Sequence, residues 1–267
     1  MSHDFQIIKY PRTPHLEGSR LQAGDESLGR VPFAAIAGRH LVVEEKIDGA
    51  NVAVSFDGDG GLLLQSRGHY LTGGARERHY DLLKQWASVH RDVLWATLGC
   101  RYVMYGEWMW AKHSIYYDAL PHYFMEFDIL DRTTQHFLDT PGRRRLTVQL
   151  PVCSVPVLAS GRFDSLDDVL RLLGPSLFIT DGHLDSLRRT AGQLGLDADA
   201  ICRQTETGTT MEGLYIKVED GGCVTDRVKW VRNTFTQTQE VSRQAWLDRA
   251  IVPNGLSVPL ATLFDPN

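Results

Sequence analysis

No stretch of this 267-residue chain approaches the roughly 18 successive apolar residues that cross a bilayer, so no membrane-spanning helix is expected. The opening Met1-Ser2-His3-Asp4 lacks the basic start and apolar core of a secretion signal. Cysteine is scarce. Cys100, Cys153, Cys202 and Cys223 stand far apart with no C-x-x-C pair, which argues against a zinc site or a disulfide framework. They read as packed core thiols in a reducing, cytoplasmic setting. Ten histidines are scattered without H-E-x-x-H or comparable metal spacing. Positive charge is not in surplus either: 28 basic residues face 33 acidic ones, a net −5. That excludes a surface coated in basic charge, though not a local basic groove. There is no internal repeat and no low-complexity linker. What remains is an ordinary globular composition, 43% hydrophobic and 23% charged, long enough to bury a substantial core.

Residues 7 to 40 read as an irregular surface strap, broken by Pro11, Pro14, Gly18 and Gly24 and carrying Arg12, His15 and Arg20. Two β-prone runs, Leu41-Val42-Val43 and Val52-Ala53-Val54-Ser55-Phe56, flank a charged centre at Lys46. A third follows at 62 to 67 through the Asp57-Gly58-Asp59-Gly60-Gly61 turn, since Asp-Gly between β-prone runs marks a hairpin. Leu82, Leu83, Trp86, Val89, Val93 and Leu94 give residues 80 to 97 a helical period. Strands are expected at 101 to 108 and 123 to 130. Alternation in the second puts Phe124, Glu126 and Asp128 on one face and Met125, Phe127 and Ile129 on the other. Residues 141 to 205 read as a helical insertion with helices at 165 to 173 and 186 to 195, capped by Ser165 and Ser186. Late strands at 213 to 219 and 227 to 231 meet at Asp220-Gly221-Gly222, and residues 239 to 250 read as one helix. The organisation expected is one domain over 1–235 containing the insertion, with a short helical tail over 236–267.

Lys46 ends a strand beside a tight turn, in Glu45-Lys46-Ile47-Asp48-Gly49-Ala50-Asn51. Glycine suits such a turn because it accepts backbone angles other residues resist. Further polar strand ends follow at Ser66-Arg67-Gly68, Tyr105-Gly106-Glu107 and 124 to 128. Glu212-Gly213-Leu214-Tyr215-Ile216-Lys217 and Arg227-Val228-Lys229-Trp230-Val231-Arg232 come last. Each alone is an ordinary strand terminus. Together and in this order they resemble the covalent nucleotidyltransferase superfamily of polynucleotide ligases and RNA-capping enzymes. The likeness covers about residues 40 to 235 and is strongest to the ATP-dependent RNA ligases of the branch that seals nicked double-stranded RNA.

The resemblance implies an α/β (α+β) nucleotidyltransferase, ATP-grasp-like domain: two mainly antiparallel sheets with flanking helices, and ATP in the groove between the sheets. It implies an ATP-dependent polynucleotide ligase using Mg²⁺ or Mn²⁺ in RNA repair, acting on RNA with 3′-hydroxyl and 5′-phosphate ends, with an end-processing protein as a further partner. Lys46 would form lysyl-AMP, a step that needs a neutral amine and hence a pKa below the ordinary value near 10.4. A divalent metal, neighbouring cations and desolvation are the expected means of lowering it. Lys229 would hold the α-phosphate, Glu212 the metal or its water shell, and Glu107 the ribose hydroxyls. Phe127, or alternatively Phe124, would stack on adenine, and Glu45 would read its edge, by side chain or backbone. Lys217 belongs to the same nucleotide set. Arg67, Asn51 and Arg232 would meet the RNA ends.

The chain departs from the family pattern in three places, one being that residues 7 to 40 match no family motif, with Arg12 and His15 as candidate phosphate contacts. Where these ligases offer a second lysine after Lys229, this sequence has Val231, leaving Arg232 or Arg227 as substitutes, and an arginine fork is not a lysine point charge. About 35 residues follow Arg232, too few for an OB-fold, so Arg143-Arg144-Arg145 and Arg188-Arg189 become candidate RNA contacts. A DNA ligase, a capping-type enzyme and a non-catalytic nucleic-acid-binding module of the same fold remain the alternatives.

Overall fold

A computed structural model describes residues 6–21, 25, 28–235 and 250–265. The expected helix at 239 to 250 lies almost wholly outside the described residues. Twelve strands are described, beginning in the strap with β1 (His15–Leu16) and β2 (Arg30–Val31). Then come β3 (Leu41–Lys46), β4 (Ala50–Phe56), β5 (Leu62–Ser66), β6 (Tyr102–Trp108), β7 (Phe124–Asp131) and β8 (His136–Leu138). β9 (Cys153–Ser154), β10 (Val157–Gly161), β11 (Gly213–Asp220) and β12 (Cys223–Val231) complete the set.

The two sheets expected are two arms of one hydrogen-bonded path, β10-β3-β11-β12 and β8-β7-β6-β4-β5, antiparallel throughout. They join only where β8 meets the start of β12, through Cys223 opposite Leu138 and Val224 opposite Phe137. Beyond that joint side chains of the two arms meet, Lys217 and Arg227 pairing with Asp128 and Arg143 with both Glu44 and Glu126. Each arm alternates. Val52, Val54, Phe56 and Met104 face a core closed by α1 (Asp81–Val89) and α2 (Arg91–Leu98) through Leu83, Trp86, Leu94 and Leu98. Leu41, Val43, Leu214, Ile216 and Val218 face a second core, and Tyr10, Ala53, Tyr105 and Leu130 fill the space between the arms. No helix among the described residues is long and apolar enough to cross a membrane.

Several local expectations need correction. The helix over 80 to 97 is two helices, broken at His90, whose buried Nε2 lies 2.7 Å from the Leu263 carbonyl. The segment 141 to 205 is not purely helical. It holds α3 (Thr140–Thr147), α4 (Leu166–Leu170), α5 (His183–Gln193) and α6 (Ala198–Arg203), but β10 within it pairs with β3 and extends the sheet. Ser165 caps α4 in a capping box with Asp168, whereas Ser186 lies inside α5, which starts a turn earlier at Gly182. Strict alternation in β7 fails because the register shifts opposite Tyr105 and Gly106, leaving Phe127 as the extra residue. The turn between β11 and β12 is as expected, with Gly221 and Gly222 at φ +57° and +84°, angles a tight hairpin requires.

Candidate active site

β3 is an interior strand between β10 and β11, and the side chain of its last residue, Lys46, is only 19% exposed. In the β3–β11–β12 register, Lys46 stands opposite Gly213 and Gly213 opposite Val231; Glu44 faces Tyr215 and Tyr215 faces Lys229. The pleat therefore turns Glu44, Lys46, Tyr215, Lys217, Arg227 and Lys229 to one face, while Leu214, Ile216 and Trp230 go to the opposite core.

Lys46 Nζ lies 2.7 Å from Glu212 Oε2, and the Glu212 side chain has no exposed surface. Asp48 and Glu107 add negative potential at the amine. Asp48 is fixed by the backbone N–H groups of Ser114 and Ile115, at 2.8 and 3.2 Å, and Glu107 Oε1 accepts from the Gly49 N–H at 3.1 Å. Gly49 is needed for a different reason from the one expected, since no positive φ is found there. A Cβ at 49 would come within 2.9 Å of Glu107 Cγ and 2.7 Å of Met109 Sδ. Gly213 is tighter still, its Cβ position 1.9 Å from the Trp230 carbonyl oxygen. Both glycines let strand ends approach closely enough for Lys46 to reach its carboxylates.

The protein's own charges do not by themselves lower the Lys46 amine. Burial pulls the Lys46 amine down, but Glu212, Asp48 and Glu107 outweigh it and hold its pKa above that of an ordinary lysine. Desolvation raises Glu212 and carries Glu107 up to about 7 despite the opposing pull of Lys46. Lys229 moves the other way, lowered by burial and then by the charge of Lys46.

Lys46, Glu107, Glu212 and Lys229 thus share one electrostatic pocket. Phe127 is half-buried beside it, its ring 6.5 Å from that of Tyr215 at a 37° tilt, whereas Phe124 is fully buried and stacked on Trp86 at 5.1 Å. Asn51 stands opposite Glu107 on β4, and Arg67 is exposed just past the end of β5.

Three expected contacts lie elsewhere. The Glu45 side chain points away from Lys46, taking a 2.5 Å bond from Ser176 Oγ and a 3.3 Å bond from the Leu177 N–H. Lys217 is wholly buried against Glu44 at 2.9 Å, Asp128 at 3.4 Å and the Phe127 carbonyl. Arg232 donates to the Met211 carbonyl at 3.0 Å and pairs with Glu206 at 3.2 Å, so it anchors the turn bearing Glu212. Arg227 lies over Phe137 and pairs with Asp128. Arg143 is also absent from the surface. It is 1% exposed and ion-paired to Glu44 and Glu126 at 2.7 and 2.9 Å, joining the arms, while Arg144 and Arg145 are exposed.

The strap supplies further groups. His15 is buried opposite Lys229, and Asp25 contacts both His15 and Lys229. Tyr10 donates to Asp128 at 2.5 Å and meets Phe127 edge-on. Tyr215 was detectable, because it stands two residues from both Gly213 and Lys217 and so shares their face. Nothing in the local pattern around Asp25 marks it. Among the described residues, no group of three or more His, Cys, Asp or Glu is arranged as a ready metal nest.

A family model described as RNA ligase matches residues 39–231. No curated protein sequence matches the chain. Among solved structures, the fold is similar to a Naegleria gruberi RNA ligase mutant with ATP and manganese. That match has 18% identity and a TM-score of 0.51, and covers 91% of this chain and 58% of that one. A second mutant of the same enzyme, with AMP and manganese, gives 16% identity and a TM-score of 0.50 over 91% and 57% of the two chains. The chain therefore spans less than two thirds of the length of these relatives, and at such identities the likeness is one of fold.

Proposed function

The chain belongs to the RNA ligase family, and from that premise we propose that it is an ATP-dependent RNA ligase acting through a lysyl-AMP on Lys46. The supporting observation is the 2.7 Å Lys46–Glu212 pair set among Asp48, Glu107 and Lys229, since a nucleophile held beside acids and a second cation suits displacement at phosphorus. Once deprotonated, the Lys46 amine attacks the α-phosphorus of ATP; the new P–N bond forms as the bond to pyrophosphate breaks. A 5′-phosphate oxygen of RNA next displaces Lys46 from the adenylate, giving an adenylated 5′ end. The 3′-hydroxyl then attacks that 5′-phosphate and AMP departs, leaving a phosphodiester.

Lys229 opposes charge on the α-phosphate, Phe127 and Tyr215 frame the adenine, and Glu107 accepts from the ribose hydroxyls. Arg67 and Asn51 receive the RNA ends, and the branch resemblance favours a nick in duplex RNA, as in RNA repair. The oxygen donors Glu212 and Glu107 facing Lys46 suit a divalent cation that keeps several waters, and Glu212 with its shell would hold it. Such a cation would draw Glu212 from the amine and add positive charge beside it, which lowers the amine pKa.

Incubation with α-labelled ATP and Mg²⁺ or Mn²⁺ tests this reading. The native protein takes up covalent label and Lys46→Ala takes up none. An unlabelled native protein marks a non-catalytic binder instead. Nicked duplexes with RNA or DNA on the 3′-hydroxyl side test the substrate, and preference for DNA there overturns the RNA assignment.

A further inference from the structure

Three basic side chains converge on a single carboxylate, that of Asp25. Arg12 Nη2 donates to Asp25 Oδ1 at 3.2 Å, His15 Nε2 lies 3.2 Å from Asp25 Oδ2, and Lys229 Nζ is in direct contact with Asp25. The assembly is built rather than incidental. His15 has no exposed surface, and its Nδ1 lies 2.7 Å from Ser19 Oγ, which accepts from the Val231 N–H at 2.9 Å. β1 sets His15 directly opposite Lys229. Arg12, in contrast, has a side chain 48% exposed and approaches from the solvent side.

One carboxylate offers two oxygens and one negative charge to these three donors. Burial and the charge of Lys229 lower His15, which favours its neutral form, so the positive charge that meets Asp25 comes from Arg12 and Lys229. A phosphate brings more oxygens and more charge to the same donors, and charge-assisted bonds to such oxygens are the strong ones. We propose that Arg12, His15 and Lys229 form a phosphate subsite which the Asp25 carboxylate fills as an internal competitor until a nucleotide phosphate or pyrophosphate displaces it. This rests on the reading above that the protein binds ATP. The apparent phosphate affinity is then the intrinsic affinity reduced by the fraction of molecules in which Asp25 has released its partners.

The two acid–base partners are expected to act with opposite signs. Calorimetric titration with pyrophosphate should show Asp25→Asn binding about tenfold tighter than the native chain, and Arg12→Ala about tenfold weaker. A merely structural ion pair gives the contrary result: both variants bind more weakly, or neither changes, and the subsite is overturned. If Asp25→Asn melts before it can be titrated, Arg12→Ala decides alone, and unchanged pyrophosphate affinity in that variant overturns the proposal. Titrating ATP and AMP into the same variants made in a Lys46→Ala background separates the sources. A gain for ATP but not AMP assigns the subsite to the β,γ-phosphates, and a gain for both assigns it to the α-phosphate. Native protein that labels on Lys46 while Asp25→Asn binds pyrophosphate no tighter sinks the subsite alone. Absence of that label sinks the ligase reading beneath it.

Discussion

The Lys46 amine and the Glu212 carboxylate meet at 2.7 Å although 166 positions of chain separate them, and the close approach at Gly213 brings them there. Each is the other's main counter-charge, with the Glu212 side chain fully buried. Lys46→Met removes the nearest cation from a buried carboxylate, and Glu212→Gln removes the nearest carboxylate from the Lys46 ammonium. Each single change should lower stability by about 3 kcal/mol or more. The double variant should lose distinctly less than the sum, a coupling readable by denaturant titration of the four proteins. Strict additivity would show that the pair contributes nothing to the fold.

Glu107 gives a pH signature. Its carboxyl is raised from about 4.5 to about 7, chiefly by burial. The folded protein therefore binds a proton that the unfolded chain has released between those pH values. The penalty is absent below pH 4.5, grows as pH rises through the window, and is complete above 7, with an upper bound of about 3 kcal/mol. Glu107→Gln imitates the protonated form. Its melting temperature should exceed the native one at pH 8, and the difference should vanish toward pH 5. An advantage equal at both values would place the carboxyl in ordinary solvent.

The glycines admit a graded test. Gly49→Ala pushes a methyl toward Met109 Sδ and Glu107 Cγ, side-chain groups that can shift, and to 2.9 Å from the Trp108 carbonyl, a milder backbone contact than that at Gly213. Gly213→Ala pushes one into the Trp230 carbonyl, backbone that cannot. Gly49→Ala is expected to fold with a loss of about 1–3 kcal/mol and slowed labelling of Lys46. Gly213→Ala should yield little soluble protein.

Arg143 belongs to an ion network of Glu44, Glu126, Asp128, Lys217 and Arg227 that ties the two arms together. Arg143→Ala removes a buried cation that neutralises two carboxylates, and should lower stability by about 3–5 kcal/mol. Exposed Arg144→Ala and Arg145→Ala should stay within about 0.5 kcal/mol of native. Chemical denaturation of the three variants separates an arm-joining residue from a surface contact.

Motif spacing made the polar site legible. Lys46, Glu107, Glu212 and Lys229 each end or adjoin a β-prone run; alternation puts Lys46 and Lys229 on one face once the strands pair, whereas Glu212, just before β11, reaches Lys46 outside that alternation. Pairing itself is non-local. No window of sequence shows that β8 couples the arms or that β10 returns to β3 across more than a hundred residues. The same limit hid Asp25, which lies in an irregular stretch, and left His15 without its partner until β1 runs beside β12. Charge clusters misled for a related reason. Arg143 and its two neighbours look alike in sequence, and only the pairing of the first with Glu44 and Glu126 buries it.

The two phenylalanines of β7 separate stacking from packing. The register shift at Tyr105 and Gly106 turns Phe127 out of the strict alternation and leaves it half-buried facing Tyr215, while Phe124 remains under the sheet against Trp86. Phe124→Ala should therefore lower stability by about 3–5 kcal/mol, as large core truncations do. Phe127→Ala should lower it far less and instead weaken ATP binding, since base–aromatic stacking contributes about 1–3 kcal/mol per base. Thermal melts together with ATP titrations of both variants settle the assignment. Loss of ATP affinity confined to Phe124→Ala would move adenine off the Phe127–Tyr215 pair and onto the helix side of the sheet, where Trp86 already fills the space.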